Sequence, residues 1–234
     1  MSPKVNNDFY EDLGQRWLHA QDDPVALLRA EGETKHAWVE EKLREHFGSA
    51  GLGSEARSLK ILDVGCGAGF LVRRLAAQGH GVHGLDYSLG SLTVSKNAGG
   101  TSQPVKYIRG DALRLPFANG VFDVVTSMDF LEHVEDPAAA IREAGRVLRP
   151  GGLFSLAMLN LLDVIRGKLR KNFLYSTIQN SSGEANKKGS ILYDATVTKG
   201  IYYNLCFRAH RSGANNLTGE GYSAGRAGRS LMKT

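Results

Sequence analysis

Short apolar runs and helix-period stripes alternate along the middle of this chain, across residues 60–158. Apolar runs bounded by turn residues predict strands, whereas apolar positions spaced three and four residues apart predict amphipathic helices. Because strand and helix follow one another throughout, we expect a mostly parallel, doubly wound α/β sheet with right-handed crossovers. The predicted strands are residues 61–64, 81–86, 105–108, 122–128 and 153–158.

The segment before the first strand, residues 1–58, is predicted to be a helical cap and a linker. Tyr10, Leu13 and Trp17 fall on one helical face, which favours packing over a ligand site. Asp23 followed by Pro24 is typical of a helix start, because aspartate caps free backbone N–H groups and proline suits the first turn. The Gly- and Ser-rich residues 48–58 then lead into the core, residues 59–160.

The segment after the core, residues 161–210, is predicted to be a basic amphipathic segment and the remnant of a substrate region. Its first part has an apolar face among basic side chains, which suits either an anionic membrane interface or an ordinary surface helix. Residues 191–206 have enough apolar and β-branched residues for one or two strands, but no convincing antiparallel hairpin. The glycine-rich, polar composition of residues 211–234 predicts disorder.

Composition narrows the class of protein only coarsely. At 234 residues and 25.4 kDa, the chain suits one α/β domain with a small accessory layer. The net charge of +5 fits a solvated basic surface or an anionic partner. The two cysteines, Cys66 and Cys206, argue against a disulfide framework or a thiolate zinc site and fit a reducing cytoplasm. Since no stretch reaches the roughly 18 apolar residues of a spanning helix, we expect a soluble or peripheral protein.

The first predicted strand leads into a loop in which Gly65, Gly67 and Gly69 alternate with other residues. Glycine permits positive φ and lets the backbone approach a ligand closely. The G-x-G-x-G spacing, with Asp63 two positions before it, differs from the G-x-G-x-x-G turn that seats a pyrophosphate. The second strand ends in Asp86, whose carboxylate suits two sugar hydroxyls or, alternatively, the cap of the next helix. The carboxyl edge of the sheet is therefore the expected ligand site.

These motifs resemble those of class I S-adenosylmethionine-dependent methyltransferases, whose first motif is similar to LDVGCGAG at residues 62–69. From about residue 7 to residue 160, the order of motifs is similar to that of the ubiquinone-biosynthesis O-methyltransferases, which methylate phenolic hydroxyls on polyprenylated rings. The narrower resemblance depends on LLRAEGETKHAWV at residues 27–39 and on DVVTSMDFLEHVEDP at residues 123–137. It implies a Rossmann-like fold and S-adenosyl-L-methionine as the cofactor.

The resemblance also implies which residues contact that cofactor. Arg29 would hold its methionine carboxylate as a bidentate donor; the alternative is a surface arginine paired with Glu33. Asp111 would receive the adenine amino group, and the backbone N–H of the next residue would contact the ring. The implied cofactor-binding set is Arg29, Asp63, Gly65, Gly67, Asp86, Asp111, Ala112 and Met128.

The resemblance further implies a metal site formed by Asp129, Glu132 and His133, whose spacing would place them on one face of a helical turn. Mg²⁺ would suit the two carboxylates, since it prefers oxygen ligands. The family commonly has Glu where this chain has Asp129. The alternative is that the Glu132–His133 pair merely starts the helix under the cofactor. His133 is in addition the candidate catalytic base, because a neutral phenol is a poor nucleophile and imidazole titrates near neutral pH.

The expected function is O-methylation of a phenolic or catechol hydroxyl on a polyprenylated quinone precursor. The expected partners are a lipid-tailed phenolic substrate and an anionic membrane surface, with no nucleic acid, since the sequence shows no nucleic-acid-binding module. The expected location is the cytoplasm or the inner face of a membrane. The alternatives are methyl transfer to another small molecule and a cofactor-binding relative without activity.

Overall fold

The computed structural model describes residues 7–48, 58–100, 105–159, 193–198 and 202–208. The strands are β1 (Lys60–Val64), β2 (Gly81–Asp86), β3 (Lys106–Arg109), β4 (Phe122–Met128), β5 (Leu148–Leu159), β6 (Tyr193–Thr198) and β7 (Tyr202–Arg208). They form one sheet in the order β3-β2-β1-β4-β5-β7-β6. Neighbours among β1 to β5 are parallel, as the alternation of strand and helix predicts.

Six α-helices and a 3₁₀ turn at Leu131–His133 are described beside the sheet. The helices are α1 (Asn7–Glu11), α2 (Arg16–His19), α3 (Pro24–Phe47), α4 (Phe70–Ala77), α5 (Leu89–Asn97) and α6 (Pro137–Val147). The predicted start of α3 is confirmed, since the Asp23 carboxylate accepts hydrogen bonds from the N–H groups of Val25 at 2.8 Å and Ala26 at 3.0 Å. Within the described ranges, every helix is too short or too polar to cross a membrane.

Strand β1 shows how the two faces of the sheet are covered. Ile61 and Leu62 are both fully buried, yet they belong to different hydrophobic clusters, because successive side chains of a strand point to opposite faces. Ile61 packs in the cluster that contains Leu75 of α4, and Leu62 packs in the cluster that contains Ile141 of α6. Coverage on both faces is what a parallel sheet requires, which confirms the doubly wound arrangement.

Strand β5 begins earlier than the sequence indicates. Its first pairing joins Leu148 to Phe122, and after an irregularity the ladder resumes with Leu153 opposite Val124. The prediction of a start at residue 153 was wrong because the Pro-Gly-Gly turn interrupts the strand instead of preceding it. The strand therefore follows directly after α6.

A C-terminal antiparallel hairpin, absent from the prediction, completes the sheet. β7 lies between β5 and β6 and pairs antiparallel with both. The sequence favours strands in this region, but pairing is made by backbone groups and leaves little local trace of the partner. The predicted basic amphipathic stretch that follows the core and the predicted disordered tail lie outside the described residues.

Candidate functional site

A cleft opens at the carboxyl ends of β1, β2 and β4, beneath the N-terminal helices. Parallel strands bring their carboxyl ends to one edge of the sheet, which is where open α/β sheets bind ligands. Of the residues predicted from sequence, the cleft is lined by Arg29, Asp63, Gly65, Gly67, Asp86, Met128, Asp129 and His133. Asp111, Ala112 and Glu132 do not line it.

The glycine loop after β1 adopts a conformation that L-residues with side chains rarely tolerate. Gly65, Gly67 and Gly69 have φ values of 76°, 50° and 71°. The N–H of Gly65 donates to the carbonyl of Leu85 at 2.8 Å, which ties the loop to the end of β2. A Cβ atom on Gly65 would lie 2.4 Å from the ring of Phe130. Glycine is therefore required at Gly65 for both its backbone angle and its close neighbour.

Asp86 connects the glycine loop to the start of α5. Its Oδ2 accepts a hydrogen bond from the N–H of Gly67 at 2.8 Å, and its Oδ1 accepts one from the N–H of Ser88 at 2.9 Å. The cap of α5 is Ser88, whose hydroxyl accepts from the N–H of Ser91. The alternative interpretation, in which Asp86 caps the next helix, is therefore wrong. Burial raises the pKa of the Asp86 carboxyl, and the backbone hydrogen bonds oppose that rise.

Asp63 is a buried carboxyl at the base of the cleft, with 3% of its surface exposed. Its Oδ1 accepts a hydrogen bond from the hydroxyl of Thr126 at 2.7 Å. Burial raises the pKa of Asp63 to about 7, the Thr126 hydrogen bond lowers it, and the charge of Asp86 raises it further. Asp63 and Asp86 make this end of the cleft acidic.

Arg29 lines the cleft and also fixes the chain between α2 and α3. Its guanidinium donates hydrogen bonds to the carbonyls of Leu18 at 2.5 Å and Ala20 at 2.7 Å. Glu33, the partner in the alternative interpretation, instead pairs with Arg74 at 2.7 Å. The side chain of Arg29 is therefore held at the cleft by backbone carbonyls.

The N-terminal aromatic stripe covers the cleft. Tyr10 Oη lies 3.2 Å from His133 Nε2, and the Tyr10 ring stacks on Trp17 with ring centroids 6.4 Å apart. Trp17 Nε1 donates to the hydroxyl of Ser91 at 3.1 Å. The prediction that favoured packing is confirmed for Leu13, which is 2% exposed, and Tyr10 and Trp17 pack against the same cluster while they also line the cleft. A stripe of aromatic residues gives no local sign of which members meet a distant site.

His133, the predicted base, lies in the 3₁₀ turn after β4. Burial lowers its pKa, and the nearby negative charge of Asp129 opposes that shift. The imidazole is therefore neutral at pH 7 and has a nitrogen lone pair that can accept a proton. This protonation state suits the role predicted for it.

The predicted arrangement of the metal ligands is wrong. Asp129 follows β4 and has a φ of 51°, and a 3₁₀ turn comes after it, so Asp129, Glu132 and His133 do not share one face of an α-helix. The Nζ of Lys35 lies 2.5 Å from Asp129 Oδ2. No group of three His, Cys, Asp or Glu side chains in the described part of the chain is placed to hold a metal ion. The residues present therefore do not fit Mg²⁺.

Lys35 is the main site residue that sequence reasoning missed. The residue is buried, with 3% of its surface exposed, and it lines the cleft from α3. Leu28, Gly32 and Lys35 line the cleft at a spacing of four and three residues, which places them on one helical face. The sequence shows the helical spacing of Lys35 from Leu28 and Gly32, but not that this face of the helix meets the cleft.

Asp111 and Ala112 follow β3 and take up local structural roles. The Oδ1 of Asp111 accepts a hydrogen bond from the N–H of Leu113 at 2.8 Å, which closes a turn. Ala112 is 6% exposed and packs in the core cluster that contains Leu62. The adenine contacts predicted for these two residues stay a prediction.

Comparison with known proteins shows what this chain is similar to. The methyltransferase domain family matches residues 62–156. The ubiquinone biosynthesis O-methyltransferase of Azorhizobium caulinodans is 33% identical over 158 residues, covering 64% of this chain and 60% of that protein. The enzyme of the same description from Aliivibrio fischeri is 35% identical over 155 residues, covering 64% and 61%. The chain thus spans about three-fifths of the length of the curated relatives it matches.

A solved structure shows the same fold. Magnesium protoporphyrin IX methyltransferase from Synechocystis PCC 6803, determined with bound S-adenosylmethionine, superposes with a TM-score of 0.62 at 20% identity, covering 88% of this chain and 92% of the other. At that level of identity the likeness confirms the Rossmann-like α/β fold. Together with the matched domain, it confirms the resemblance to class I methyltransferases.

Proposed function

We propose that this chain is an S-adenosylmethionine-dependent O-methyltransferase that acts on a phenolic or catechol hydroxyl of a polyprenylated quinone precursor. One observation carries the proposal. The cleft joins the left-handed glycine loop, the Asp86 carboxylate and the neutral imidazole of His133, and its core strands belong to the segment that matches the methyltransferase domain family. The names of the curated relatives support the acceptor class.

The residues of the cleft fit the proposed cofactor. The loop from Gly65 to Gly69 leaves backbone without Cβ atoms at the end of β1, so a ligand can approach it closely. Arg29 would hold the cofactor carboxylate, and Asp86 would accept the ribose hydroxyls. The acidic groups Asp63 and Asp86 suit a ligand that carries a positive charge. When bound, the cofactor supplies an activated methyl group on a cationic sulfur.

His133 acts as the general base in this proposal. A phenol has a pKa near 10 and must lose its proton to become a good nucleophile at pH 7. The neutral His133 accepts that proton at a ring nitrogen. Its contact with the Tyr10 hydroxyl demonstrates that an aromatic hydroxyl can lie within hydrogen-bond distance of Nε2.

The surroundings of Asp129 favour an acceptor that carries a second hydroxyl. Its Oδ2 is paired with Lys35, whereas its Oδ1 is buried and has no hydrogen-bond partner in the described part of the structure. A buried carboxylate oxygen without a donor is costly, and a hydroxyl of a bound ligand would satisfy it. A catechol offers one hydroxyl to His133 and another to Asp129, which favours catechols over simple phenols.

The experiment is a panel of acceptors incubated with methyl-labelled cofactor. We expect catechols with an isoprenoid tail to be methylated faster than tail-less catechols, and both faster than simple phenols. His133→Ala should lower turnover by about 10²- to 10⁴-fold while cofactor affinity stays unchanged. If the cofactor binds but none of the phenolic acceptors becomes labelled, the proposed acceptor class is wrong. Flotation with anionic vesicles tests the proposed membrane surface separately.

A further inference from the structure

Lys35 places a buried positive charge inside the cleft. Its side chain is 4% exposed, and its Nζ lies 2.5 Å from Asp129 Oδ2 and 3.9 Å from Glu31 Oε2. A buried ammonium is stable only where it is paired with anionic groups. Two carboxylates from different elements, α3 and the end of β4, thus converge on one cationic nitrogen.

Asp129 pairs with Lys35 from a strained backbone conformation. Its φ of 51° lies in the left-handed region, which is uncommon for a residue other than glycine and is strained. The backbone is held there by the N–H of Asp129, which donates to the carbonyl of Ala157 at 2.8 Å. This conformation directs the carboxylate at Lys35 and into the cleft.

We infer that Lys35 is the resident cation of the site and that the methyl transfer proposed above needs no divalent metal. The ammonium lies between the carboxylates of Glu31 and Asp129 and supplies the positive charge that a metal ion would bring to Asp129. By pairing with Oδ2, Lys35 orients the Asp129 carboxylate, so that Oδ1 receives the acceptor hydroxyl. Lys35 is therefore a positioning residue. This inference rests on the proposed function for the acceptor, but the cation position is a property of the free protein.

The test measures Mn²⁺ binding to the free protein by electron paramagnetic resonance. We expect no saturable binding at the Asp129 position in the wild type. Lys35→Gln removes the ammonium and leaves two facing carboxylates, so saturable Mn²⁺ binding should appear and should be lost again in the Lys35→Gln/Asp129→Asn double variant. Lys35→Arg keeps the positive charge and should not gain Mn²⁺ binding. Lys42→Gln is the matched control, since Lys42 is also buried on α3 but pairs with Glu45.

Measurements of methyl-transfer activity and of cofactor binding provide a second test. Methyl transfer by the wild type should be unchanged by a chelator, and Lys35→Gln should raise the KM for the catechol more than it lowers kcat. Asp129-dependent Mn²⁺ binding to the wild type, loss of transfer on chelation, or no gain of Mn²⁺ binding in Lys35→Gln would each overturn the inference. Cofactor affinity, measured by calorimetry without acceptor, tests the proposed function independently of these outcomes.

Discussion

Tyr10 Oη lies 3.2 Å from His133 Nε2, although 123 positions separate the two residues in the chain. The carbonyl of Tyr10 accepts hydrogen bonds from the hydroxyls of Ser88 and Ser91, each at 3.3 Å, and its ring stacks on Trp17. The position of Tyr10 is therefore fixed by α5 on one side and by α2 on the other. The N-terminal helices are part of the cleft and not merely a cap on the sheet.

Replacing Tyr10 with Phe should remove the contact with His133 and keep the aromatic stack. A single hydrogen bond contributes about 0.5–1.5 kcal/mol net, so we expect a loss of about 1 kcal/mol in the free energy of unfolding. Urea denaturation of the wild type, Tyr10→Phe, His133→Ala and the double variant gives a double-mutant cycle. This cycle measures the coupling energy between the two side chains. Strictly additive effects of the two substitutions would show that the contact has no energetic role.

Gly65→Ala should lower the stability of the fold much more than Gly79→Ala. Both glycines have a positive φ, but a Cβ atom would meet different surroundings at the two positions. Gly79 has a φ of 91°, and a Cβ atom added there would meet no other group within 4 Å, so alanine at Gly79 costs about 1–2 kcal/mol of backbone strain. At Gly65 the same strain is joined by the clash with Phe130. We expect Gly65→Ala to lose more stability in denaturation and to lose cofactor binding as well. Equal losses of stability would contradict the packing described for Phe130.

Asp86→Ala should weaken cofactor binding at least tenfold, because it removes the carboxylate proposed to accept the ribose hydroxyls and frees the N–H of Gly67 that shapes the loop. Isothermal titration calorimetry measures the affinity. Glu41→Ala, on the exposed face of α3, is a control for the loss of one negative charge. Unchanged affinity in Asp86→Ala would remove Asp86 from the binding site.

Asp63 should make stability fall as pH rises. Its pKa is about 7 in the fold against an ordinary value of 3.8, so the folded state retains a proton that the unfolded state loses between these two pH values. Stability therefore decreases across that window and stays lower above pH 7. Asp63→Asn keeps an acceptor for Thr126 and should remove this slope, with a gain of up to about 4 kcal/mol at pH 8. The stability of both proteins is measured by denaturation from pH 4 to pH 8. If the two profiles run parallel, the pKa of Asp63 is not raised in the fold.

The core of the fold could be predicted because its signals are local. The strand ending at Asp63, the glycines after it and the strand ending at Asp86 are each visible in a few consecutive residues. Parallel strands then bring those ends to one edge of the sheet without further information. This is why Asp63, Gly67 and Asp86 were predicted and do line one cleft.

The remainder of the site depends on contacts between distant segments. Lys35 meets Asp129 across 94 positions, and Tyr10 meets His133 across 123. Helical spacing predicts which residues share a face, but not which element that face meets. The predicted shared face of Asp129, Glu132 and His133 was wrong for a related reason, since the left-handed backbone at Asp129 interrupts the helical spacing.

Calorimetric titration of the purified wild-type chain with S-adenosyl-L-methionine tests the cofactor site most directly. We expect saturable binding of one cofactor molecule per chain, weakened by Asp86→Ala and unaffected by Glu41→Ala. Absence of saturable binding at concentrations up to about 1 mM, the upper end of the usual range of KM values, would contradict the central claim that this cleft is a cofactor site.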